Sequence, residues 1–348
     1  MKNIKAYAAM NATSPLAPLE IERRATLEND VAIEILYCGV CHSDIHSARN
    51  EWGGAKYPLV PGHEIIGRVI EVGSQVKGFK VGEAVGVGCF VDSCRQCSAC
   101  QENLEQYCEV GATFTYNSSD KHLGGQTYGG YSQKIVVDQK YVLRIPKNIP
   151  LDRAAPLLCA GITTYSPLKN WKIKKGDRVG VVGLGGLGHM AVKLAHAMGA
   201  EVTLFSTSEN KRADAQRLGA KHFVLSKNTQ EMKSLKNHFD LILNTVSANI
   251  NLDQYIGLLK RDGTLVLLGI PEAADQIHAG SLIDKRKRLA GSLIGGIQET
   301  QEMLDFCASH NIASDIELIA MKDINLAYER MIKGDVKYRF VIDMKQWS

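Results

Sequence analysis

The sequence predicts an α/β protein in which a β-rich domain is joined to a domain built on a doubly wound parallel sheet. Residues 178–188 read R-V-G-V-V-G-L-G-G-L-G, a short apolar run followed by closely spaced glycines, and a helical run then extends to Met198. Further apolar runs alternate with helical stretches as far as Gly296, whereas the first 150 or so residues show little helical periodicity. This contrast predicts two domains of different class.

The N-terminal part contains short β-type runs separated by glycines, which is typical of a compact, barrel-like domain. These runs are Val31–Tyr37, Ile65–Val72, Ala84–Val87 and Tyr131–Val137. The C-terminal tail is predicted to form two amphipathic helices and a closing strand, and to return to this first domain; its segments are Glu299–His310, Asn325–Lys333 and Tyr338–Asp343. We therefore predict one domain from residues 1–152 and 297–348, and a second from residues 153–296.

The second domain alternates apolar runs with helical segments such as Asn210–Leu218, a pattern that predicts a doubly wound parallel sheet. Its apolar runs are Val179–Val182, Val202–Phe205, Leu241–Leu243 and Leu265–Leu268. In the first strand–helix turn, Gly183 would permit a tight turn, Gly185 a close approach of a pyrophosphate, and Gly188 close packing of helix on strand. The alternative is a glycine-rich loop of some other α/β unit.

Composition limits the classes of function. The 348 residues carry a net charge of +4, and their one dense basic block is Lys285–Arg288, so nucleic-acid binding is not indicated. The first ten residues contain no apolar core of a signal peptide, and the sequence has no run of about 18 apolar residues. We therefore expect a cytoplasmic protein without a membrane partner.

Nine cysteines in a cytoplasmic chain favour metal binding or catalysis over disulfides, because the cytosol keeps thiols reduced. Four of them occur within one short segment, at Cys94, Cys97, Cys100 and Cys108. Four thiolates complete a tetrahedral zinc shell and leave no position for a substrate, so this zinc would be structural. An iron–sulfur cluster and a redox dithiol are the alternatives.

A second set of metal-ligand types is more dispersed, comprising Cys41, His63 and Cys159. Two sulfurs and one imidazole suit a catalytic zinc whose fourth position stays open. Each residue alone is weak evidence, because a buried cysteine is often inert and a histidine is often only structural.

Six stretches occur in order along the chain: G-V-C-H-S-D-I-H, P-G-H-E, the four-cysteine segment, A-G-I-T-T-Y, G-L-G-G-L-G-H and V-K-Y-R-F-V-I-D. Together they resemble the zinc-dependent medium-chain alcohol dehydrogenases, and most closely the cinnamyl-alcohol-dehydrogenase type. The resemblance implies a GroES-like β-domain that carries two zinc ions, a Rossmann domain that binds the nicotinamide cofactor, and a homodimer.

The resemblance also assigns roles within the first domain. The catalytic zinc ligands would be Cys41, His63 and Cys159, with Glu64 as a nearby carboxylate that can approach the metal. Asp44 would accept the other N–H of His63 and fix its tautomer. Ser43 would bond the substrate hydroxyl and His46 would pass its proton towards solvent, unless they are an ordinary turn serine and a surface histidine.

The residues after the second strand of the Rossmann domain favour NADP(H). An NAD site has an acidic residue at this strand tip, whereas here Ser206, Thr207 and Ser208 follow the strand and Lys211 comes soon after. Hydroxyls and an ammonium suit a 2′-phosphate. Glu209 departs from the pattern, since it would repel a phosphate if it pointed inward, and Lys211 with Arg212 could be only a solvated helical turn.

The remaining contacts are implied by the resemblance. The cofactor would be bound by Gly183, Leu184, Gly185, Gly186, Leu187, Gly188, Thr163, Thr245, Gly269, Ser292, Leu293 and Ile294. Arg339 would neutralise the pyrophosphate, or else form a structural ion pair. Trp52 and Phe114 would be aromatic walls of the substrate pocket, with Trp52 as a core residue the alternative.

These features predict an NADP(H)-dependent zinc alcohol dehydrogenase or aldehyde reductase that interconverts primary alcohols and aldehydes, aromatic ones such as cinnamyl or benzyl, by hydride transfer. One alternative is an NAD-dependent polyol dehydrogenase. The other is a non-catalytic, zinc-stabilised nucleotide-binding or redox-sensing protein.

Overall fold

The computed structural model describes residues 3–271 and 273–347. Two compact units are present, one made of the chain up to Cys159 together with the chain from Gly295 onward, the other spanning Ala160–Ile294. The boundaries between the units differ from the predicted domain boundaries, which lie between residues 152 and 153 and between residues 296 and 297. The first lies later because the 3-10 turn Ala155–Leu158 packs against strands of the first unit, where Leu158 lies against Gly86.

The strands, in chain order, are β1 Ile4–Ala8, β2 Ala17–Ile21, β3 Asp30–Val40, β4 Ile65–Val72, β5 Ala84–Val87, β6 Phe90–Asp92, β7 Thr113–Phe114, β8 Lys134–Asp138, β9 Leu143–Arg144, β10 Arg178–Val182, β11 Glu201–Ser206, β12 His222–Leu225, β13 Phe239–Asn244, β14 Leu259–Leu267, β15 Arg288–Gly291, β16 Ile316–Ile319 and β17 Arg339–Asp343.

The helices are α1 His42–Ala48, α2 Ser98–Gln101, α3 Leu151–Ala154, α4 Ala160–Asn170, α5 Gly186–Ala197, α6 Arg212–Leu218, α7 Thr229–Ser234, α8 Leu252–Leu258, α9 Ala279–Ile283, α10 Ile297–Ser309 and α11 Ile324–Ile332.

Strand β3 organises the first unit. It pairs antiparallel with β4, β8 and β17, in a sheet of order β16-β17-β3-β4-β5-β9 with β8 also on β3. Its eleven residues are mostly apolar and buried, which suits a strand covered on both faces. Because β17 pairs with β3, the C-terminal tail returns to the first domain, as predicted.

The second unit is built on a parallel sheet of order β12-β11-β10-β13-β14-β15, which confirms the doubly wound arrangement. The strand order reverses at β10, between β11 and β13. Its core contains Phe205, whose ring meets Phe239 and Tyr255 edge-on at 5.5 and 5.6 Å. The register aligns the carboxyl ends of β10, β11 and β13 at one edge, where ligands bind in open α/β sheets.

Several boundaries differ from the sequence prediction. The strand predicted from Tyr131 begins at Lys134, because the Tyr131 backbone bonds to Pro61 and Tyr7. The helix predicted from Asn210 begins as a 3-10 turn, Glu209–Lys211, before α6. None of the helices in the described part of the chain is long and apolar enough to cross a membrane.

Candidate active site and metal centres

Three segments of the first unit bring a buried donor set together. Cys41 follows β3 and begins α1, His63 and Glu64 directly precede β4, and Cys159 follows a 3-10 turn. One ligand atom of each residue lies within 4.8 Å of all the others, and all four side chains are buried. The Sγ atoms of Cys41 and Cys159 are 3.9 Å apart. The predicted catalytic ligands therefore do converge.

Asp44 fixes the orientation of His63. Its carboxylate is wholly buried, and Oδ1 accepts a hydrogen bond from Nδ1 of His63 at 3.0 Å. The N–H groups of Gly62 and Cys41 donate to Oδ1 and Oδ2 at 3.0 and 2.9 Å. Since Nδ1 carries the proton towards Asp44, Nε2 of His63 is the nitrogen available to a metal.

Glu64, the one carboxylate of the donor set, also contacts Arg339 of β17. The Arg339 guanidinium donates to Oε1 of Glu64, and both side chains are buried. Among the described residues, Oε2 of Glu64 has no hydrogen-bond partner. The carboxylate fits only because residue 39 is glycine, since a Cβ there would overlap Oε2. Arg339 thus forms the structural ion pair that was the alternative to a pyrophosphate contact.

This donor set fits a zinc ion. A buried carboxylate oxygen without a partner and two adjacent sulfurs are groups that a cation satisfies. The pKa of the Cys41 thiol lies well below its ordinary value, because the Cys159 thiol donates to it and Arg339 is near, although burial opposes the change. Burial raises the pKa of Glu64 to about 7, against the opposing charge of Arg339. The thiolate form of Cys41 is therefore favoured already, whereas the charged form of Glu64 needs a further cation to neutralise it.

The second set of metal ligands is the four-cysteine segment, whose cysteines lie in α2 and in the turns on either side of it. All four Sγ atoms lie within 4.8 Å of one another, with Cys94–Cys100 and Cys97–Cys108 separations of 3.9 and 4.0 Å. A tetrahedral zinc with Zn–S bonds of about 2.3 Å puts sulfurs about 3.8 Å apart. Backbone N–H groups of Cys94 and Cys97 point at neighbouring sulfurs at 3.4 Å, as suits thiolates. The geometry matches a closed structural site.

The four-cysteine segment is also tied to α10. Oε2 of Glu105 accepts the N–H of Ile297 at the start of that helix, at 3.1 Å. A Cβ at Gly296 would overlap the carbonyl oxygen of Asn103. A metal that orders this loop would therefore also order the first turn of α10.

The predicted proton-handling residues lie on α1. Oγ of half-buried Ser43 is 3.6 Å from Sγ of Cys41. Nδ1 of His46 bonds the carboxylate of Glu51, and its ring stacks on Trp52 with centroids 4.9 Å apart. Trp52 is 47% exposed and is not a core residue. Phe114, at the end of β7, is also 41% exposed.

The glycine turn after β10 has the geometry of a dinucleotide loop. Gly183 has a φ of +91°, and a Cβ there would press against Val246. A Cβ at Gly188 would overlap the carbonyl of Gly183, whereas one at exposed Gly185 would meet no protein atom within 4 Å. The open space at Gly185 lies before the N-terminus of α5, whose free N–H groups suit a phosphate. Leu184 is buried, and Gly186 and Leu187 begin α5.

No carboxylate stands at the tip of β11. The strand ends at Ser206, whose buried hydroxyl accepts the N–H of Ser208 at 3.1 Å, while Thr207 and Ser208 are exposed. Glu209 forms an ion pair with Arg212. The Arg212 guanidinium in turn lies 4.4 Å over the Phe223 ring. The Glu209 carboxylate, which departs from the phosphate-binding pattern, is therefore paired with the first residue of α6.

Most other predicted cofactor residues lie at the same sheet edge. Thr245 follows β13 and its hydroxyl donates to the carbonyl of Val182 at 2.7 Å. Gly269 follows β14, and residues 292–294 (Ser292, Leu293, Ile294) follow β15, with Ile294 at a φ of +38°. Thr163 is buried in α4.

Two buried aromatic residues at the donor set were not anticipated. The Tyr116 ring lies 5.8 Å from that of His63, and the Tyr131 hydroxyl donates to Oδ2 of Asp44 at 3.3 Å. No local pattern marks them, because they occur in segments that read only as short strands and turns. The pairing of Arg339 with Glu64 could not be predicted from the neighbouring residues either, because the two are 275 positions apart.

Comparison with known proteins agrees with this geometry. Residues 27–147 match the alcohol dehydrogenase GroES-like domain and residues 186–309 the zinc-binding dehydrogenase domain, which confirms the predicted fold class. The chain is 57% identical to NADP-dependent alcohol dehydrogenase C 1 of Mycolicibacterium smegmatis, over 99% of this chain and 98% of that one. It is 58% identical to the aldehyde reductase YahK of Escherichia coli, over 98% of each.

A solved cinnamyl alcohol dehydrogenase of Sorghum bicolor superposes with a TM-score of 0.96 at 46% identity, covering 99% of this chain and 98% of that one. The likeness therefore extends over both units.

Two glycine substitutions separate folding from cofactor binding. Gly185→Ala should leave the urea midpoint of unfolding unchanged, because the new methyl meets no protein atom. It should weaken dinucleotide binding about tenfold, or roughly 1.4 kcal/mol, by filling the space of the pyrophosphate. Gly183→Ala should instead lower stability by roughly 1–2 kcal/mol, because of its positive φ. Urea unfolding and fluorescence titration with NADPH measure both effects; unchanged binding by Gly185→Ala would contradict the assignment of this loop.

Proposed function

Because the chain belongs to the zinc-dependent medium-chain alcohol dehydrogenases, of the cinnamyl-alcohol-dehydrogenase type, we propose that it interconverts primary alcohols and aldehydes with NADP(H). Aromatic alcohols such as cinnamyl or benzyl alcohol are the proposed substrate class. The observation that carries the proposal is the buried set of Cys41, His63 and Cys159, with His63 oriented by Asp44.

Each chain would hold two zinc ions. One would be bound by Cys41, His63 and Cys159, with Glu64 at hand, and the other by the four-cysteine segment as a structural ion. The first supplies Lewis acidity, which polarises a carbonyl and eases loss of a hydroxyl proton. Asp44 holds a proton of His63 on Nδ1, which leaves Nε2 to face the metal, and Arg339 neutralises part of the Glu64 charge.

Ser43 and His46 would move the proton between substrate oxygen and solvent. They are three residues apart on α1, a spacing that puts both side chains on one helix face. Glu51 bonds Nδ1 of His46, which leaves Nε2 to exchange a proton. In the reductive direction, for which NADPH would supply the hydride, Ser43 and His46 would return the proton to the substrate oxygen.

NADP(H) would bind along the carboxyl edge of the parallel sheet. The pyrophosphate would meet the α5 N-terminus at Gly185, and the 2′-phosphate would meet Ser206, Thr207, Ser208 and Lys211. The absence of a carboxylate at the described tip of β11 and the Glu209–Arg212 ion pair support the phosphate site. Thr163, Thr245, Gly269 and residues 292–294 would contact the nicotinamide half.

The exposed aromatic rings of Trp52 and Phe114 support an aromatic substrate class. Trp52 stacks on His46, the proposed proton carrier, so an aromatic ring bound there would lie near the reacting end. Such surfaces favour flat, apolar alcohols through buried area and offset stacking.

We propose a homodimer as well. Strand β15 ends the parallel sheet, and among the described strands it pairs only with β14. Ile283, which precedes this strand, is 78% exposed, and Ile270 and Leu293 are also exposed. An open strand edge with apolar neighbours is a surface that a second copy can cover.

The thiols at both proposed zinc centres form no disulfides, which supports a reducing compartment such as the cytoplasm.

The first experiment is the initial rate of cinnamaldehyde reduction with NADPH and with NADH, on protein whose zinc content has been counted. We expect two zinc ions per chain and a preference for NADPH of about tenfold or more, because only NADPH carries the 2′-phosphate. Preference for NADH would overturn the phosphate site. Turnover of vicinal diols with NAD, in place of cinnamaldehyde, would identify a polyol dehydrogenase. No turnover of any substrate by fully zinc-loaded protein would favour a non-catalytic role.

Lys211→Ala tests the phosphate site directly. We expect KM for NADPH to rise about tenfold, with little change for NADH, because a charge-assisted contact to the phosphate is lost. Lys221→Ala is the matched control: Lys221 pairs with Glu201 at the opposite end of β11, away from the proposed phosphate site. Equal effects of both variants on both cofactors would argue against a specific contact.

Ile283→Glu tests the dimer. A charge on the proposed interface should shift the sedimentation coefficient from that of a dimer to that of a monomer. Val81→Glu, at a 64% exposed position in the other unit, should leave the coefficient unchanged. A dimer that survives Ile283→Glu would mean that this surface is not the interface.

A further inference from the structure

The hydroxyl of Tyr131 makes the fourth hydrogen bond to the Asp44 carboxylate. Oδ1 of Asp44 accepts from His63 and from the N–H of Gly62, while Oδ2 accepts from the N–H of Cys41 and from Tyr131. Tyr131 is fully buried, so water does not replace this donor. A buried carboxylate needs such donors, since burial without them is costly.

The backbone holds the Tyr131 ring in place. Its N–H donates to the carbonyl of Pro61 at 2.9 Å, and its carbonyl accepts the N–H of Tyr7 at 2.9 Å. The ring lies against Gly62, where a Cβ would come within 2.7 Å of Cδ1. Tyr131 therefore touches both the loop that carries His63 and the carboxylate that orients it.

We propose that Tyr131 is a positioning residue of the metal centre: its hydroxyl holds Oδ2 of Asp44, and thereby keeps Oδ1 aligned with Nδ1 of His63. The inference rests on the proposed zinc-dependent function. Without the hydroxyl, Oδ2 keeps the N–H of Cys41 as its donor, and the carboxylate can rotate about its Cβ–Cγ bond. That rotation would misalign the bond to His63 and loosen its hold on the metal.

Tyr328 extends this arrangement to the C-terminal helix α11. Its hydroxyl is buried and has no hydrogen-bond partner among the described residues. It lies close enough to Tyr131 that the two side chains affect each other's pKa, which burial raises for both. The Tyr131 proton is directed to Asp44, so the side of Tyr131 that a neighbouring hydroxyl can approach carries its lone pairs. Tyr328 would therefore steady Tyr131.

The test is Tyr131→Phe, which keeps the ring and removes the hydroxyl. Zinc release from the full-length protein is followed with a chromogenic chelator, and the absorption spectrum of the cobalt-substituted protein is recorded. We expect one of two release phases to become about three- to tenfold faster, and the cobalt spectrum to change. Asp44→Asn, which alters the direct partner of His63, should accelerate the same phase about 10–100-fold. Neither variant should alter the phase from the four-cysteine site.

Tyr255→Phe is the matched control, because Tyr255 is a buried tyrosine of the other unit. Tyr328→Phe should accelerate zinc release less than Tyr131→Phe, and it provides the test if Tyr131→Phe does not fold. Wild-type release rates and an unchanged cobalt spectrum in a folded variant would overturn the proposal, even if thermal stability fell. A wild-type protein that binds no zinc at the Cys41, His63 and Cys159 set would instead overturn the zinc-dependent function itself.

Discussion

The first unit depends on the burial of one carboxylate, that of Asp44. An ionised carboxylate away from water must be surrounded by donors, and two of its four hydrogen bonds come from the backbone of Cys41 and Gly62. These N–H groups belong to the segments that supply the sulfur and imidazole ligands. The same anion therefore fixes the chain at Cys41, the chain before His63, and the tautomer of His63.

The negative charges at this centre are largely neutralised only when a metal cation is present. With Cys41, Cys159, Asp44 and Glu64 ionised, four negative charges face the single positive charge of Arg339. A bound divalent metal would reduce this to one net negative charge. Without the metal, protons on the thiols must reduce the negative charge instead. Arg339 arrives on β17, so pairing of β17 with β3 is also what brings the cation to Glu64. Removing one partner of such a buried pair costs about 3–5 kcal/mol, which couples the C-terminal tail to the centre.

Features with a local cause could be predicted from the sequence. The cysteine spacing places four sulfurs in one loop, and the glycine spacing marks the turn after β10, because both depend on a few consecutive residues. The Glu64–Arg339 pair joins residues 275 positions apart, and the Tyr131–Asp44 bond residues 87 apart. Such partners depend on strand register and loop placement, which a single sequence does not specify. The division of the two units after Cys159 depends on packing of the same kind.

The direction of Glu209 illustrates how a neighbouring side chain can decide the meaning of a motif. Judged by its position alone, an acidic residue three positions after β11 would repel the 2′-phosphate of a cofactor bound there. Here Arg212 is one helical turn away and engages that acid, while its guanidinium also lies over Phe223. An exposed ion pair adds little stability, but with its cation anchored on an aromatic ring it still sets where the carboxylate points. The electrostatics of the turn then follow from the Ser206–Ser208 hydroxyls and Lys211, so the acid and the preference for a phosphate-bearing cofactor are compatible.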